Sequence, residues 1–192
     1  MMRIITGSAR GTRLIAPVGE HTRPTAERTK EAIFSMLQFE LEGRRVLDLF
    51  GGSGQLALEA LSRGASRAVI LDDSPDAIRA ITQNVAKTRL ADRAEILKRD
   101  ALSFLRSYTG APFHLVFLDP PYALGMIPQC LSLLKVRSML TAGAVVVCES
   151  RSEQDVFAGN DALEAGFLTL KSTRYGVAFV RILQNQSNGE HL

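Results

Sequence analysis

The chain has 192 residues, 46% of them hydrophobic and 22% charged, with 15 glycines and 7 prolines. That length suits one ordinary domain, with or without a small appendage, burying about two-thirds of its unfolded surface without disulfide or metal staples. The apolar content excludes disorder for most of the chain, and the longest apolar runs, Leu115–Leu118 and Ala144–Cys148, fall far short of the roughly 18 residues of a membrane span.

The opening Met-Met-Arg-Ile-Ile-Thr-Gly has no apolar core of the length a secretion signal needs. Cys130 and Cys148 have no histidine nearby, which fits neither a disulfide framework nor a zinc site and suits a reducing cytoplasm. The net charge of +3 is unevenly placed. Residues 1–30 hold six basic and two acidic groups, leaving 17 basic and 18 acidic groups on the remaining 162 residues. A basic arm on a near-neutral body points to a polyanionic partner, most simply nucleic acid.

In chain order, residues 1–45 form a basic extension. Arg3–Thr6 and Thr12–Ala16 flank Gly7-Ser8-Ala9-Arg10-Gly11 as a hairpin, and Arg23-Pro24-Thr25 opens a helix to about Leu41. Thr25 is the expected cap, Ile33, Leu37 and Leu41 share one face, and Arg28 and Lys30 take more exposed positions. From Val46 onward, short apolar runs alternate with amphipathic stretches. Val46–Phe50, Ala68–Asp72, Ala94–Lys98, Leu115–Asp119 and Ala144–Glu149 are near-continuously apolar, the pattern of parallel strands covered on both faces. Gln55–Arg63 and Pro75–Lys87 are helical, the second with Ala77, Ile78, Ile81 and Val85 on one face and Ser74 or Asp73 as its cap. Phe167–Tyr175 and Val177–Leu183 then make an antiparallel hairpin through Tyr175-Gly176, and 184–192 is a polar, frayed tail. The sum is an α/β doubly wound, mostly parallel, seven-stranded sheet occupying residues 46–183.

Two motifs carry chemistry. Asp48-Leu49-Phe50-Gly51-Gly52-Ser53-Gly54 closes the first strand of the sheet and opens a helix, and Gly52–Ala57 matches a dinucleotide-type glycine fingerprint. Asp72, 18 residues past Gly54, ends the next strand where a carboxylate can accept ribose hydroxyls. Asp48 would repel a diphosphate but can receive a cation such as the ammonium of a methionine moiety, favouring S-adenosylmethionine over NAD. Asp100, followed by Ala101, can hydrogen-bond an adenine amine, cap the helix over Ala101–Ser107, or do both.

The second motif, Asp119-Pro120-Pro121-Tyr122, ends the fourth strand. An exocyclic amine is a weak nucleophile because its lone pair is delocalised into the base. The Asp119 carboxylate and the Pro120 carbonyl can grip its two N–H bonds and favour a pyramidal nitrogen, while Tyr122 stacks on the base. In-line displacement at a sulfonium needs positioning rather than a perturbed general base, and none of His21, His114 and His191 pairs with a nucleophile. No residue cluster calls for a metal.

Together with Arg3–Gly7, Gly11–Leu14, Arg23–Phe34, Glu59–Ala65 and Tyr175-Gly176, these motifs resemble the RsmD family of bacterial 16S rRNA guanine-N2 methyltransferases over nearly the whole chain. The resemblance implies a class I methyltransferase sheet, S-adenosylmethionine as donor, and a guanine of 16S rRNA (guanine 966) as acceptor. It also implies presentation of that guanine on a partly assembled 30S subunit, and a monomeric enzyme. It gives Asp119, Pro120 and Tyr122 the catalytic roles. Asp48, Phe50, Gly51, Gly52, Gly54, Asp72, Asp73, Asp100 and Ala101 are the candidate cofactor contacts. Arg3, Arg10, Arg13, Arg23 and Arg28 are the candidate phosphate contacts. The chain departs from the family pattern at Gly52, Ala57, Asp72 and Ser74. Rival readings are an adenine-N6 DNA methyltransferase, a non-catalytic cofactor-binding RNA assembly factor, and an NAD-dependent oxidoreductase, which Asp48 disfavours.

Overall fold

Alternation of apolar and amphipathic stretches resolves into a sheet with helices on both faces. The structure, a computed structural model, describes residues 2–18, 24–37, 41–121 and 125–186, without the side chains of residues 24–28. In chain order the elements are α1 (Pro24–Met36), β1 (Arg45–Asp48), α2 (Gln55–Ser62), β2 (Arg67–Asp72), α3 (Pro75–Thr88), β3 (Ala94–Lys98) and α4 (Ala101–Ser107). There follow β4 (Phe113–Leu118), α5 (Met126–Val136), β5 (Leu140–Ser150), α6 (Asp161–Glu164), β6 (Phe167–Tyr175) and β7 (Ala178–Asn185).

The seven strands lie in the order β3-β2-β1-β4-β5-β7-β6. β1 through β5 run parallel, and β7 pairs antiparallel with both β5 and β6. Winding from β1 goes one way to β2 and β3 and the other way to β4 and β5, so β1 and β4 flank the switch point. The central strands are buried on both faces, which explains their unbroken apolar sequences. One core layer unites Ile33, Phe34, Leu58, Leu61, Ile70, Ile81 and Phe117. The opposite layer unites Leu47, Leu71, Phe104, Val116, Leu131 and Cys148.

Local capping sets the helix ends. Ser74 caps α3 with Pro75 in its first turn, and Asp100 caps α4 by accepting the Ser103 N–H at 2.8 Å. α5 carries Pro128 in its first turn, where proline is tolerated because the N–H groups there have no helical partner. β5 extends four residues before the expected Ala144 because Leu140 pairs with Phe113. Gln184 and Asn185, expected in the frayed tail, belong to β7; residues 187–192 lie outside the description.

Three expectations about the extension are corrected. α1 begins at Pro24, so Thr25 lies inside the helix rather than capping it. It ends at Met36, and Leu41 reaches the core from beyond the helix, buried to 1% exposure. Lys30 is not exposed: it is 2% accessible, donates to the Arg3 carbonyl, and lies 3.7 Å from the Glu59 carboxylate. Phe34 of α1 stacks near Phe117 of β4 and under the Arg63 guanidinium, so the extension shares the core of the sheet. The hairpin exists as one antiparallel bridge, Arg3 opposite Arg13, with Ile4, Gly11 and Leu14 donating across it. At its turn, Gly7 adopts a φ of 89° and passes so close to Ser62 that a Cβ would sit 1.8 Å from the Ser62 carbonyl. Only glycine fits there.

Candidate active site

The parallel strands end along one rim of the sheet, and the two motifs meet there. β1 hands over to the glycine loop, which is closed by hydrogen bonds from Leu49 N to Phe117 O, Gly51 N to Leu71 O and Gly54 N to Gly51 O. Gly54 caps α2 in the left-handed region at φ 77°, with no side chain over the helix end, so backbone rather than side chain faces a ligand at this point. Asp72, at the end of β2, accepts from Gly52 N and Ser74 N, both at 2.9 Å. The residue expected to meet a ribose therefore also fixes the loop that would meet the rest of the cofactor.

Asp48 lies beneath that loop at 2% exposure. Burial pushes its carboxyl up to about 7, and the nearby Asp72 charge adds to this; hydrogen bonds from the Phe50 and Ala57 N–H groups pull the other way. Because the folded value is raised above the ordinary carboxylate range, Asp48 contributes most to stability below about pH 4 and loses that contribution as pH rises through 7. A cation bound over the loop favours the ionised form. Affinity for an ammonium-bearing cofactor should therefore tighten as pH rises from about 6 to 7.5. Calorimetry should show that dependence in the wild type and its loss in Asp48→Asn.

The remaining cofactor candidates line the same rim. Phe50 and Gly51 are in the loop, Asp73 is exposed after β2, and Asp100 is exposed after β3 with Ala101 buried behind it. The Ser103 hydroxyl and N–H hold the Asp100 carboxyl below its ordinary value, so it is ionised while capping α4. Across the switch point, Asp119 is half-buried and Pro120 buried immediately after β4. Tyr122 lies outside the described residues. His114 accepts from the Arg45 N–H at the opposite end of β4, away from this rim.

The arginine candidates do not share one place. Arg3 and Arg13 face each other in a non-hydrogen-bonded cross-strand pair, both exposed, where side chains come closest. Arg10 sits in the hairpin turn, which docks on Ser62 at the far end of α2, about 12 Å down an eight-residue helix from the glycine loop. Arg23 and the Arg28 side chain lie outside the description.

Two important residues escaped the sequence reading. Glu59, at 0% exposure, accepts from the Ile5 and Thr6 N–H groups and from Arg63 Nε, and neighbours Lys30. Asn84, also at 0%, joins the arm to the glycine loop. A lone carboxylate among the apolar residues of α2 was the available signal for Glu59; Asn84 gave none.

The family model described as conserved hypothetical protein 95 matches residues 2–184. Ribosomal RNA small subunit methyltransferase D from Escherichia coli strain K12 is 32% identical over 189 residues, covering 98% of this chain and 92% of its own. The protein of that name from Haemophilus influenzae is 31% identical, covering 96% and 94%. The solved structure of yhhF from Escherichia coli superimposes with a TM-score of 0.84 at 32% identity, covering 97% of this chain and 98% of that one. With motif, fold and full-length similarity in agreement, the chain belongs to the family of the ribosomal RNA small subunit methyltransferase D proteins.

Proposed function

We propose that this chain transfers a methyl group from S-adenosylmethionine to the exocyclic N2 amine of a guanine in 16S rRNA. Methylation of rRNA from S-adenosylmethionine follows from family membership. The choice of guanine N2, of position 966, and of an assembling 30S particle as substrate is our reading. So are action as a monomer and a cytoplasmic location, where such particles form. The observation that carries it is the placement of Asp119-Pro120 at the end of β4, one strand spacing of about 4.8 Å from β1 and its glycine loop.

Bound over the loop, S-adenosylmethionine supplies an electrophilic methyl group. Gly51, Gly52 and Gly54 offer backbone to it, Asp48 supplies negative charge from beneath, and Asp72, Asp73 and Asp100 supply acceptors for its ribose and adenine. Phe50 and Ala101 give apolar contact. Asp119 and the Pro120 carbonyl accept the two N–H bonds of the amine, aiming its lone pair at the methyl carbon. The new N–C bond would form as the sulfonium S–C bond breaks and S-adenosylhomocysteine leaves as a neutral thioether, while the amine sheds one proton to Asp119 or water. Tyr122 holds the extruded base by stacking.

Asp48, Asp72, Asp73, Asp100 and Asp119 make this rim rich in carboxylates, which repel phosphates. RNA must therefore be held from beside the rim, and the paired Arg3 and Arg13 are suited to it. Side chains of a non-hydrogen-bonded cross-strand pair lie close enough for both to reach one phosphate. Arg13→Gln should weaken RNA binding and lower its salt slope by about one, with Arg3→Gln acting similarly. Arg10→Gln should do less, since its turn lies at the far end of α2. Equal effects at all three, read by filter binding across a salt series, would refute this placement.

The direct test of the function is tritium transfer to unmodified small subunits, naked 16S rRNA and duplex DNA in parallel. Label recovered as N2-methylguanine in the subunit supports the proposal. Label in DNA as N6-methyladenine replaces it, and no label despite cofactor binding favours a non-catalytic assembly factor.

A further inference from the structure

The hydrogen bonds of Asn84 connect two parts of the molecule that the proposed reaction uses separately. This side chain projects from α3, fully buried. Its Oδ1 accepts the Ile15 N–H at 2.8 Å, and its Nδ2 donates to the Ile15 carbonyl at 2.8 Å and to the Ser53 carbonyl at 2.9 Å. Both donors and the acceptor are thereby engaged, with one partner in the arm and the other between Gly52 and Gly54. Ser53 Oγ makes a second link, 3.0 Å from Met2 Sδ on the other side of the arm bridge. Met2 and Leu14, joined by a backbone hydrogen bond, directly precede and follow the paired Arg3 and Arg13. The path from phosphate contact to cofactor loop is thus a few residues of bonded backbone and one buried amide.

We infer that Asn84 is a positioning residue that couples engagement of the arm by RNA to the shape of the cofactor loop. The inference rests on the proposed role of the arm in holding RNA. Its physical basis is that a buried amide with fixed partners cannot follow the arm without pulling on Ser53, while Asp72, Asp48 and backbone hydrogen bonds hold the rest of the loop. Loss of the amide would leave three backbone groups without this partner, the buried Ser53 carbonyl among them. By linkage, whatever RNA does to cofactor affinity, cofactor must do to RNA affinity by the same factor.

Affinity for S-adenosylhomocysteine is measured with and without unmodified small subunits, and affinity for subunits with and without S-adenosylhomocysteine. In the wild type both ratios should be equal and on the order of five- to tenfold. In Asn84→Ala both should fall toward one while the protein remains folded. A residue with only a structural role would weaken each affinity and leave the ratio unchanged. Met2→Leu, which removes only the Ser53 Oγ contact, should keep most of the ratio.

Hydrogen exchange on the wild type supplies a reading that needs neither variant nor RNA: S-adenosylhomocysteine should slow exchange at the Ile15 amide. An unchanged Ile15 amide, or an Asn84→Ala protein with wild-type coupling, overturns the inference. If subunits fail to bind while Ile15 is still protected, the RNA reading fails and the link between arm and loop stands.

Discussion

Asp119→Ala is expected to reduce single-turnover methyl transfer by about 10²–10³-fold or more, the range seen when one preorganised partner of a reacting group is removed. S-adenosylhomocysteine affinity should stay within about twofold, because Asp119 follows β4 while the loop and the ends of β2 and β3 hold the proposed cofactor contacts. The loss should fall on kcat, since the carboxylate grips the amine most strongly as its nitrogen becomes pyramidal. Asp119→Asn keeps one weaker acceptor and should fall between wild type and alanine. Rapid-quench transfer to small subunits, with calorimetry on the same preparations, reads both quantities. Normal turnover in the alanine variant would remove the amine-gripping role.

Glu59→Ala is expected to be the most destabilising single change in the arm's attachment. The carboxylate is fully buried and takes hydrogen bonds from Ile5 N, Thr6 N and Arg63 Nε, with Lys30 at 3.7 Å and almost as deeply buried. Removing one member of a buried charge group takes from Lys30 and Arg63 the carboxylate they share, at a cost of about 3–5 kcal/mol. For a chain of this size that lowers Tm by roughly 10 °C or more. Glu59→Gln keeps an acceptor oxygen but not the charge, and should cost less. Glu95→Ala provides the comparison: its pair with Arg67 is exposed on both sides, and exposed pairs contribute about 0–1 kcal/mol. Urea unfolding of the three variants tests the ranking; a Glu59→Ala protein as stable as Glu95→Ala would refute it. Cofactor and RNA affinities should both suffer in Glu59→Ala, since the arm loses its anchor on α2.

Much of the architecture was legible because the fold buries its strands on both faces. That demand leaves near-continuous apolar runs in the sequence at β1, β2 and β4, whose residues are mostly buried. Caps were legible where the chemistry is local: Ser74 and Asp100 each act on the N–H group three residues on. The order of Asp48–Gly54, Asp72, Asp100 and Asp119-Pro120 along the chain likewise places these candidate residues together, because parallel strands with crossover helices bring successive strand ends to one rim.

What the sequence could not decide depends on partners far along the chain. Lys30 has the hydropathy of a surface residue, and its burial beside Glu59, 29 positions later, and the Arg3 carbonyl shows only once the chain is folded. Arg3, Arg10 and Arg13 look alike as charges; the bridge sets two of them face to face, and the docking of Gly7 on Ser62 carries the third away. Asn84 is an ordinary helical residue until the arm and the glycine loop meet on either side of its amide. Periodicity, capping and short motifs were enough for the layered fold, for setting the candidate site residues along one rim, and for the family. Tertiary structure alone decided how the arm is anchored and what it is joined to, because buried polar groups find their partners through space.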